Sequence, residues 1–549
     1  LTGQFTDMGL NRRLMGVNPS FTPLALASAY GASFGAMAVL FALGARDRNG
    51  GDYIEVPLAS ALLEWLVYNC QQIEDYPERY KSPREVELDR RQALGLPMDL
   101  TFQDLSEFLD PFYRTYTCAD GRGFYVVAGS VASHPRRVLT TLGLDDLADG
   151  LPDFPAYLDS EDWPAEWSLR NYPVGPSDRD RIAAAMKAAF LTKPANEWEA
   201  LFGAAKAPAT AQRSTAEWLA DPHALAAGLI LQVEDPEHGP MRQMGNVAWL
   251  DGDVEATRKT AATAFDPAKP LGPLHRHGPP QSPGSGWLDG LSVLDLTNVI
   301  AGPTIGSTLA RFGARVTSVQ PVEPSVDPWN TVVFGMHAHR GKKSILLNLS
   351  SDRGRRVLDR LIAQADVITL NGTDQQRDAL GLSPQQLNAV NPRLILVQLD
   401  AFGGPRRGPK SDDLGYDDLA QAATGVMLRF GGGMATPEEH AHFGTIDVLT
   451  GFSACVALGA ALAQLRTTGQ GGVARASLAA AGNLIQAQFM VDYPGRPPFD
   501  EPSGRQALGW GPFYRCYQAA DRWFFFAAPK ERHAALARVT DLADLAGSA

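Results

Sequence analysis

Cysteine is scarce in this chain. Four occur in 549 residues, Cys70, Cys118, Cys455 and Cys516, with no CxxC spacing and no histidine cluster beside them. That argues against a disulfide framework or a zinc site and makes a reducing cytoplasm the expected setting. Positive charge is also short: 49 Lys and Arg stand against 61 Asp and Glu, a net charge of -12. A general nucleic-acid partner is therefore not expected, although one anionic ligand in a local basic pocket remains compatible. No apolar run reads as long and clean enough to span a bilayer, so no membrane partner is expected. No signal peptide opens the chain, which starts "LTGQFTDMGLNRRLMG" without an initiating Met.

What the chain does have is a repeat of itself. "DPFYRTYTCADGRGFYVVAG" (110–129) returns as "GPFYRCYQAADRWFFFAAP" (511–529). "GASFGAMAVLFALGARDRNGGDYIEVPLASA" returns as "GFSACVALGAALAQLRTTGQGGVARASLAAA", at a constant offset of 420 that pairs Gly31 with Gly451 and Arg46 with Arg466. The unit is domain-sized rather than a short solenoid repeat. A Pro/Gly-rich joint, "HRHGPPQSPGSG" (275–286), reads as a linker. The expected layout is a first copy at 1–274, incomplete at its start, and a second copy at 287–549, incomplete at its end. Roughly 150 residues are expected before the chain and roughly 130 after it.

The second copy reads as α/β. "SVLDL", "ARVTSVQP", "DVITLN" and "RLILVQLDAFGG" are apolar strands. Between them, "PTIGSTLARFG" starts at Pro and stops at Gly, and "RGRRVLDRLIAQA" is amphipathic at helical spacing. Strands alternating with helices predict a doubly wound, Rossmann-like parallel sheet, with ligands at the carboxyl ends of its strands.

Several stretches are candidates for chemistry. The first strand–helix turn, "TNVIAGPTIG", is not GxGxxG, yet a helix N-terminus offers N–H groups to an anion. "HRGKKS" (339–344) and "GPRRGPK" (404–410) are local basic clusters, open to a phosphate or to solvent. "GGG" (431–433) is a connector or a moving lid. His440 and His442 lie near Asp447, but no GxSxG elbow supports a hydrolase triad and no further metal ligands are found. Asp447 opens an uncharged stretch, Val448 to Leu465, which reads as a buried helix stopped at Gly469. At that N-terminus the helix dipole would hold the carboxylate ionised. The residues alone favour a helix cap; the position also suits a carboxylate nucleophile.

The stretches "VLDLTNVIAGPTIGSTLARFGARVTSVQP", "RGKKSILLNL", "ADVITLN", "LGLSPQQLNAVNPRLILVQLDAFGG", "GYDDLAQAATGVM" and "GTIDVLTG" fall in order across most of residues 290–480. Together they resemble the class III CoA-transferases, the family of formyl-CoA transferase and carnitine CoA-transferase. In the first copy, "EDPEHGPMRQMGN" and "KPLGPLHRHGP" resemble that family's C-terminal segments. The resemblance implies a large Rossmann-like domain plus a small α/β domain, here duplicated and interlocked as an intramolecular pseudo-dimer, open to further homo-oligomerisation. It implies no resident cofactor, a coenzyme A thioester as co-substrate and a small carboxylate acceptor. It places the catalytic Asp on Asp447, the CoA-contacting turn on Val299, Ile300 and Ala301, and a CoA-contacting strand end on Asn371 and Gly372. Formyl-CoA transferase has Gln where this chain has Ile300, and an Arg and a Lys where it has Ala379 and Leu414. The superfamily's racemases carry a base His just before the Tyr equivalent to Tyr416; "SDDLGYDD" has none.

The two-copy layout, "EEHAHFGTID" and "LGYDDLAQAATGVMLRFGGG" resemble the fused branch of the family that couples CoA transfer to cleavage of dimethylsulfoniopropionate (DMSP). That implies acyl transfer through an aspartyl intermediate from a donor such as acetyl-CoA, then release of dimethyl sulfide and formation of 3-hydroxypropionyl-CoA. Aromatic faces attract a sulfonium, which makes Trp329, Tyr416 and Trp65 candidate substrate contacts. The elimination base is sought near Asp447, at Glu438, Glu439, His440 or His442. The rival readings are a transferase for carnitine or another acid without lyase activity, an acyl-CoA isomerase, and a non-catalytic CoA-binding scaffold. The offset of 420 places Ala27 opposite Asp447, and neither Asp nor Glu occurs between Met8 and Arg46. The first copy is therefore expected to lack the nucleophile.

Overall fold

The structure is a computed structural model. It describes residues 21–64, 66, 74–75, 78–81, 83–98, 100, 104, 110–152, 172–252, 286–323, 326, 334–437, 444–499, 504 and 507–539. The joint at 275–285 lies outside them.

The first copy contributes helix α1 (Leu26–Asn49), strands β1 (Tyr113–Thr117) and β2 (Gly123–Val127), helix α2 (Ser133–Thr141), and strands β3 (Ala209–Ala211), β4 (Ile230–Asp235), β5 (Gly239–Met244) and β6 (Ala248–Leu250). The second opens with β7 (Ser292–Asp295), α3 (Ala301–Arg311), β8 (Arg315–Gln320) and β9 (Lys343–Leu346). It continues with β10 (Val367–Asn371), β11 (Ile395–Asp400), α4 (Asp417–Thr424), α5 (Thr445–Thr468), β12 (Val473–Ser477) and β13 (Val491–Asp492). A last hairpin sheet holds β14 (Gly509–Gly511), β15 (Tyr514–Gln518) and β16 (Trp523–Ala527).

The main sheet runs β6-β12-β11-β10-β7-β8-β9. Every neighbouring pair is parallel except β6 with β12. A parallel sheet must be covered on both faces, and the side chains divide accordingly. Val293, Val367, Ile395 and Val397 enter one core; Leu294, Ile368, Leu370 and Leu396 enter the other with Leu358 and Ile362. The order of strand addition reverses between β7 and β10, which run parallel, and this switch opens a crevice at their carboxyl ends.

The two copies exchange strands. First-copy β6 closes the edge of the second-copy sheet on β12, and second-copy β13 pairs with first-copy β5. Helices α1 and α5 pack together, with the Phe34 and Phe452 rings 4.4 Å apart. The absent side chain of Gly459 admits Leu40, which lies 2.7 Å from where a Cβ would stand.

Two expectations need correction. Both α1 and α5 are 24 residues long and apolar enough to cross a bilayer by length and composition. The apolar window of α5 is nevertheless 78% buried inside the protein, and that of α1 39%. Their low charge reflects packing on each other and, for α5, on the sheet. The helix read from Pro303 begins two residues earlier, at Ala301.

Candidate active site

The crevice between β7 and β10 is built by a latch. Asn371, at the end of β10, accepts the Asn298 amide at 3.0 Å and donates to the Asn298 carbonyl at 3.1 Å. Below it, the buried Asp295 pairs with Lys342 at 2.6 Å and accepts the Thr369 hydroxyl at 2.8 Å. Lys342 also donates to the Pro303 carbonyl at 2.8 Å, fixing the first turn of α3. Between these ties Val299 takes φ 64°. A β-branched residue in the left-handed region is strained and needs its surroundings to hold it there. No side chain caps α3 at Ile300, so its first N–H groups remain for a ligand or water.

Asp447 comes from the opposite wall, in the first turn of α5. It is not the cap of its helix, contrary to one sequence reading. Gly444 occupies the cap position at φ 105° with no side-chain hydrogen bond. The orphan amides of Ile446 and Asp447 donate instead to the Asp417 carboxylate of α4, at 2.6 and 2.8 Å. The cap function therefore sits on Asp417, and the Asp447 carboxyl is left to face the cavity. It is 8% exposed. Burial, with Asp417 as a second cause, pushes its pKa well above the ordinary carboxylate value. The expectation of a dipole-ionised carboxylate is thus reversed: desolvation and a like charge outweigh the helix end. Tyr30 of α1 donates to the Thr445 carbonyl at 2.6 Å, so the first copy braces this helix start.

Gly451 brings the two walls together. A Cβ there would lie 2.7 Å from the Thr304 Cβ and 2.8 Å from the Ala301 carbonyl. Only glycine lets α5 approach the candidate CoA turn so closely.

One cavity of about 280 Å³ is lined by Val299, Ile300, Ala301, Asn371, Gly372, Tyr416 and Asp447. These predicted residues, scattered over the second copy, are brought to one place. Sequence reasoning missed others. Val131 and His134 of the first copy line the same cavity, as do Asp400 and Asp413. His134 Nδ1 lies 3.4 Å from the Tyr416 hydroxyl. Burial pushes Asp400 up to about 6, with the Arg475 charge and the Gly403 amide pulling the other way. Burial raises Asp413 as well. No local signal marks His134; it follows the first repeated hairpin, far along the chain from Asp447.

Several cations of the two basic clusters are engaged by partners within the protein, Lys342 and Lys410 with buried side chains. Lys342 is spent on Asp295. Lys410 pairs with the first-copy Glu199 at 2.5 Å, Arg406 donates to the carbonyls of Leu225 and Ala226, and Arg407 pairs with Asp374 and Asp412. His223 clasps the same loop: its ring accepts the Lys410 amide at 3.0 Å and lies 2.8 Å from the Phe402 carbonyl. Gly431 to Gly433 end a short helix and continue into a turn. Trp65, Trp329, Glu438, Glu439, His440 and His442 lie outside the described residues.

The chain belongs to CoA-transferase family III, whose pattern it matches twice, at residues 8–263 and 288–549. It is similar to the CoA-transferase/lyase DddD of Marinomonas sp. (strain MWYL1), 43% identical over 95% of this chain and 64% of that protein. It thus spans less than two thirds of that relative's length. A succinate–glutarate CoA-transferase of Agrobacterium fabrum is 31% identical over 38% of this chain and 56% of its own. Among solved structures, a CAIB/BAIF family protein from Brucella suis aligns at 26% identity over 47% of this chain and 71% of that one, with a TM-score of 0.40.

Proposed function

We propose that this chain transfers coenzyme A from an acyl-CoA such as acetyl-CoA to DMSP, and that the product is then cleaved to dimethyl sulfide and 3-hydroxypropionyl-CoA. One observation carries the choice of acceptor. The cavity holds three carboxylates, Asp400, Asp413 and Asp447, and neither Lys nor Arg among its described lining residues. Leu414 lines it where formyl-CoA transferase has a lysine. A dicarboxylic acceptor would find no countercharge there, whereas the sulfonium of DMSP would find Asp400 and Asp413. The 43% relative bears the name CoA-transferase/lyase, which supports the second step.

Asp447 is the nucleophile in this reading. Its carboxylate attacks the acetyl carbonyl and expels the CoA thiolate, forming a mixed anhydride. The thiolate returns to the aspartyl carbonyl and releases acetate. The DMSP carboxylate displaces the thiolate again, and the thiolate then takes the DMSP acyl group and frees Asp447. Burial suits this work, because a carboxylate of raised pKa is a stronger nucleophile once ionised. The thioester acidifies the α-proton; a base removes it and the C–S bond to dimethyl sulfide breaks. Addition of water to the resulting acryloyl-CoA gives the hydroxy product. Only the second copy, 287–549, is catalytic. The first, 1–274, completes the interlocked pseudo-dimer and lends one cavity wall.

The test is to incubate the chain with acetyl-CoA and DMSP and follow acyl-CoA products and headspace dimethyl sulfide. DMSP-CoA without dimethyl sulfide would leave a transferase without lyase activity. Transfer to carnitine alone would move the acceptor to a quaternary ammonium acid. Proton exchange without an acceptor would make it an isomerase, and binding without covalent labelling a scaffold.

A further inference from the structure

Among its described lining residues the cavity has one imidazole, and it comes from the copy without Asp447. His134 stands in the first turn of α2, just beyond the β1–β2 hairpin, and is only 8% exposed. Its Nδ1 lies 3.4 Å from the Tyr416 hydroxyl, and the two rings meet at 66° with centroids 6.3 Å apart. Tyr416 is followed by Asp417, whose carboxylate receives the Asp447 amide. The His134–Tyr416 pair is therefore tied, through one residue, to the turn that presents Asp447.

We propose that His134 of the first copy and Tyr416 of the second form the wall that receives the far end of the acceptor acid, and that they select an onium group, sulfonium or quaternary ammonium, over a second carboxylate. This deepens the reading of the site given above and rests on it. Three features of the wall act in the same direction. The phenol ring offers an electron-rich face to a cation. Asp400 and Asp413 line the same cavity and repel an anion. Burial, assisted by the nearby Arg137, pushes the His134 pKa down to about 4, so its ring is uncharged at neutral pH and does not repel a cation. A permanently charged residue at this place would reverse the preference. Selection is thus a property of the interface between the copies rather than of the second copy alone.

The test compares two acceptors of nearly equal shape, DMSP and its neutral carbon isostere 4-methylpentanoate, with succinate as the anionic acceptor. Rates of acyl-CoA formation from acetyl-CoA give the ratio of kcat/KM values. For the wild type, DMSP is expected to exceed the isostere by at least about tenfold. His134→Lys is expected to lower that ratio by at least about tenfold, chiefly through KM for DMSP, and to raise relative use of succinate. His134→Gln, uncharged, keeps the order of preference. Should His134→Lys fail to fold, Tyr416→Leu supplies the second measurement and lowers the DMSP-to-isostere ratio by a few-fold. A wild type that prefers DMSP, combined with an unchanged ratio in His134→Lys or in Tyr416→Leu, overturns the proposal. A wild type that does not distinguish DMSP from the isostere overturns the acceptor reading itself.

Discussion

Helices α1 and α5 began as the same sequence and now differ in one consequential way. Each has 24 residues, and they lie against each other across the boundary between the copies. Helix α1 starts behind Ala25 with no side-chain cap and carries Ala27 in its first turn. Helix α5 starts behind Gly444, is capped from outside by Asp417, and carries Asp447 in its first turn. Borrowing the cap from another helix leaves the Asp447 carboxyl without a structural duty. Retaining a buried, uncompensated acid with no such duty destabilises the fold, and the plain twin shows that the helix forms without it. That contrast points to chemistry as the reason for keeping it.

The largest expected effect tests the contrast directly. Asp447→Asn should reduce CoA transfer by about 10⁴-fold or more, measured as acyl-CoA product. Adding Ala27→Asp to that variant should restore nothing, because no residue of α1 lines the cavity that holds Asp447. Recovery of transfer by the double variant would break the asymmetry.

Next comes the glycine pair. Gly451→Ala would press on the Ala301 carbonyl and the Thr304 Cβ, whereas Gly31→Ala would press on the Leu58 Cδ2, the far end of a flexible side chain. The first should cost about 1–3 kcal/mol and impair CoA binding; the second should cost under about 1 kcal/mol. Denaturant unfolding and CoA titration of the two variants measure the difference.

Asp417→Asn should weaken the cap of α5 by about 1 kcal/mol. It also removes the like charge beside Asp447. The acid limb of the rate profile should therefore move to lower pH, since Asp447 then ionises more readily. An acid limb that stays in place would show that burial alone sets the Asp447 pKa.

The smallest effect is on stability. The folded-state pKa of Asp447 is raised, so its ionisation penalises the fold as pH climbs above the unfolded value of about 4. Asp447→Asn should accordingly melt about 1–3 °C higher than the wild type at neutral pH. The gap should close below about pH 4, where both chains are neutral at this position. A scanning melt at several pH values reads it.

Much of this was legible in the sequence because it is local. Periodicity and turn residues around "SVLDL", "DVITLN" and "RLILVQLD" give the strands, and the offset of 420 exposes Ala27 opposite Asp447. The resemblance then gathers Val299, Ile300, Ala301, Asn371 and Gly372, which share one cavity with Asp447. What stayed hidden depends on contacts between distant segments. Asp417 is an unremarked member of "GYDD" until its carboxylate meets the Ile446 amide. His134 and Lys410 acquire meaning only when the other copy packs against them. Lys342 in "HRGKKS" looks free for an anion because Asp295, its partner, is distant along the chain.

The exchange of β6 carries a consequence for synthesis. Trp249 and its strand neighbours leave the ribosome early, yet their place is beside β12, at Ala474 to Ala476. At a translation rate of about 5–20 residues per second, the wait is roughly 10–45 s. Through that interval the first copy holds an unpaired strand with an indole meant for burial. The nascent chain is thus obliged to finish its second half before its first half can close, and a translational pause between the two copies would prolong the time in which that strand can find a wrong partner.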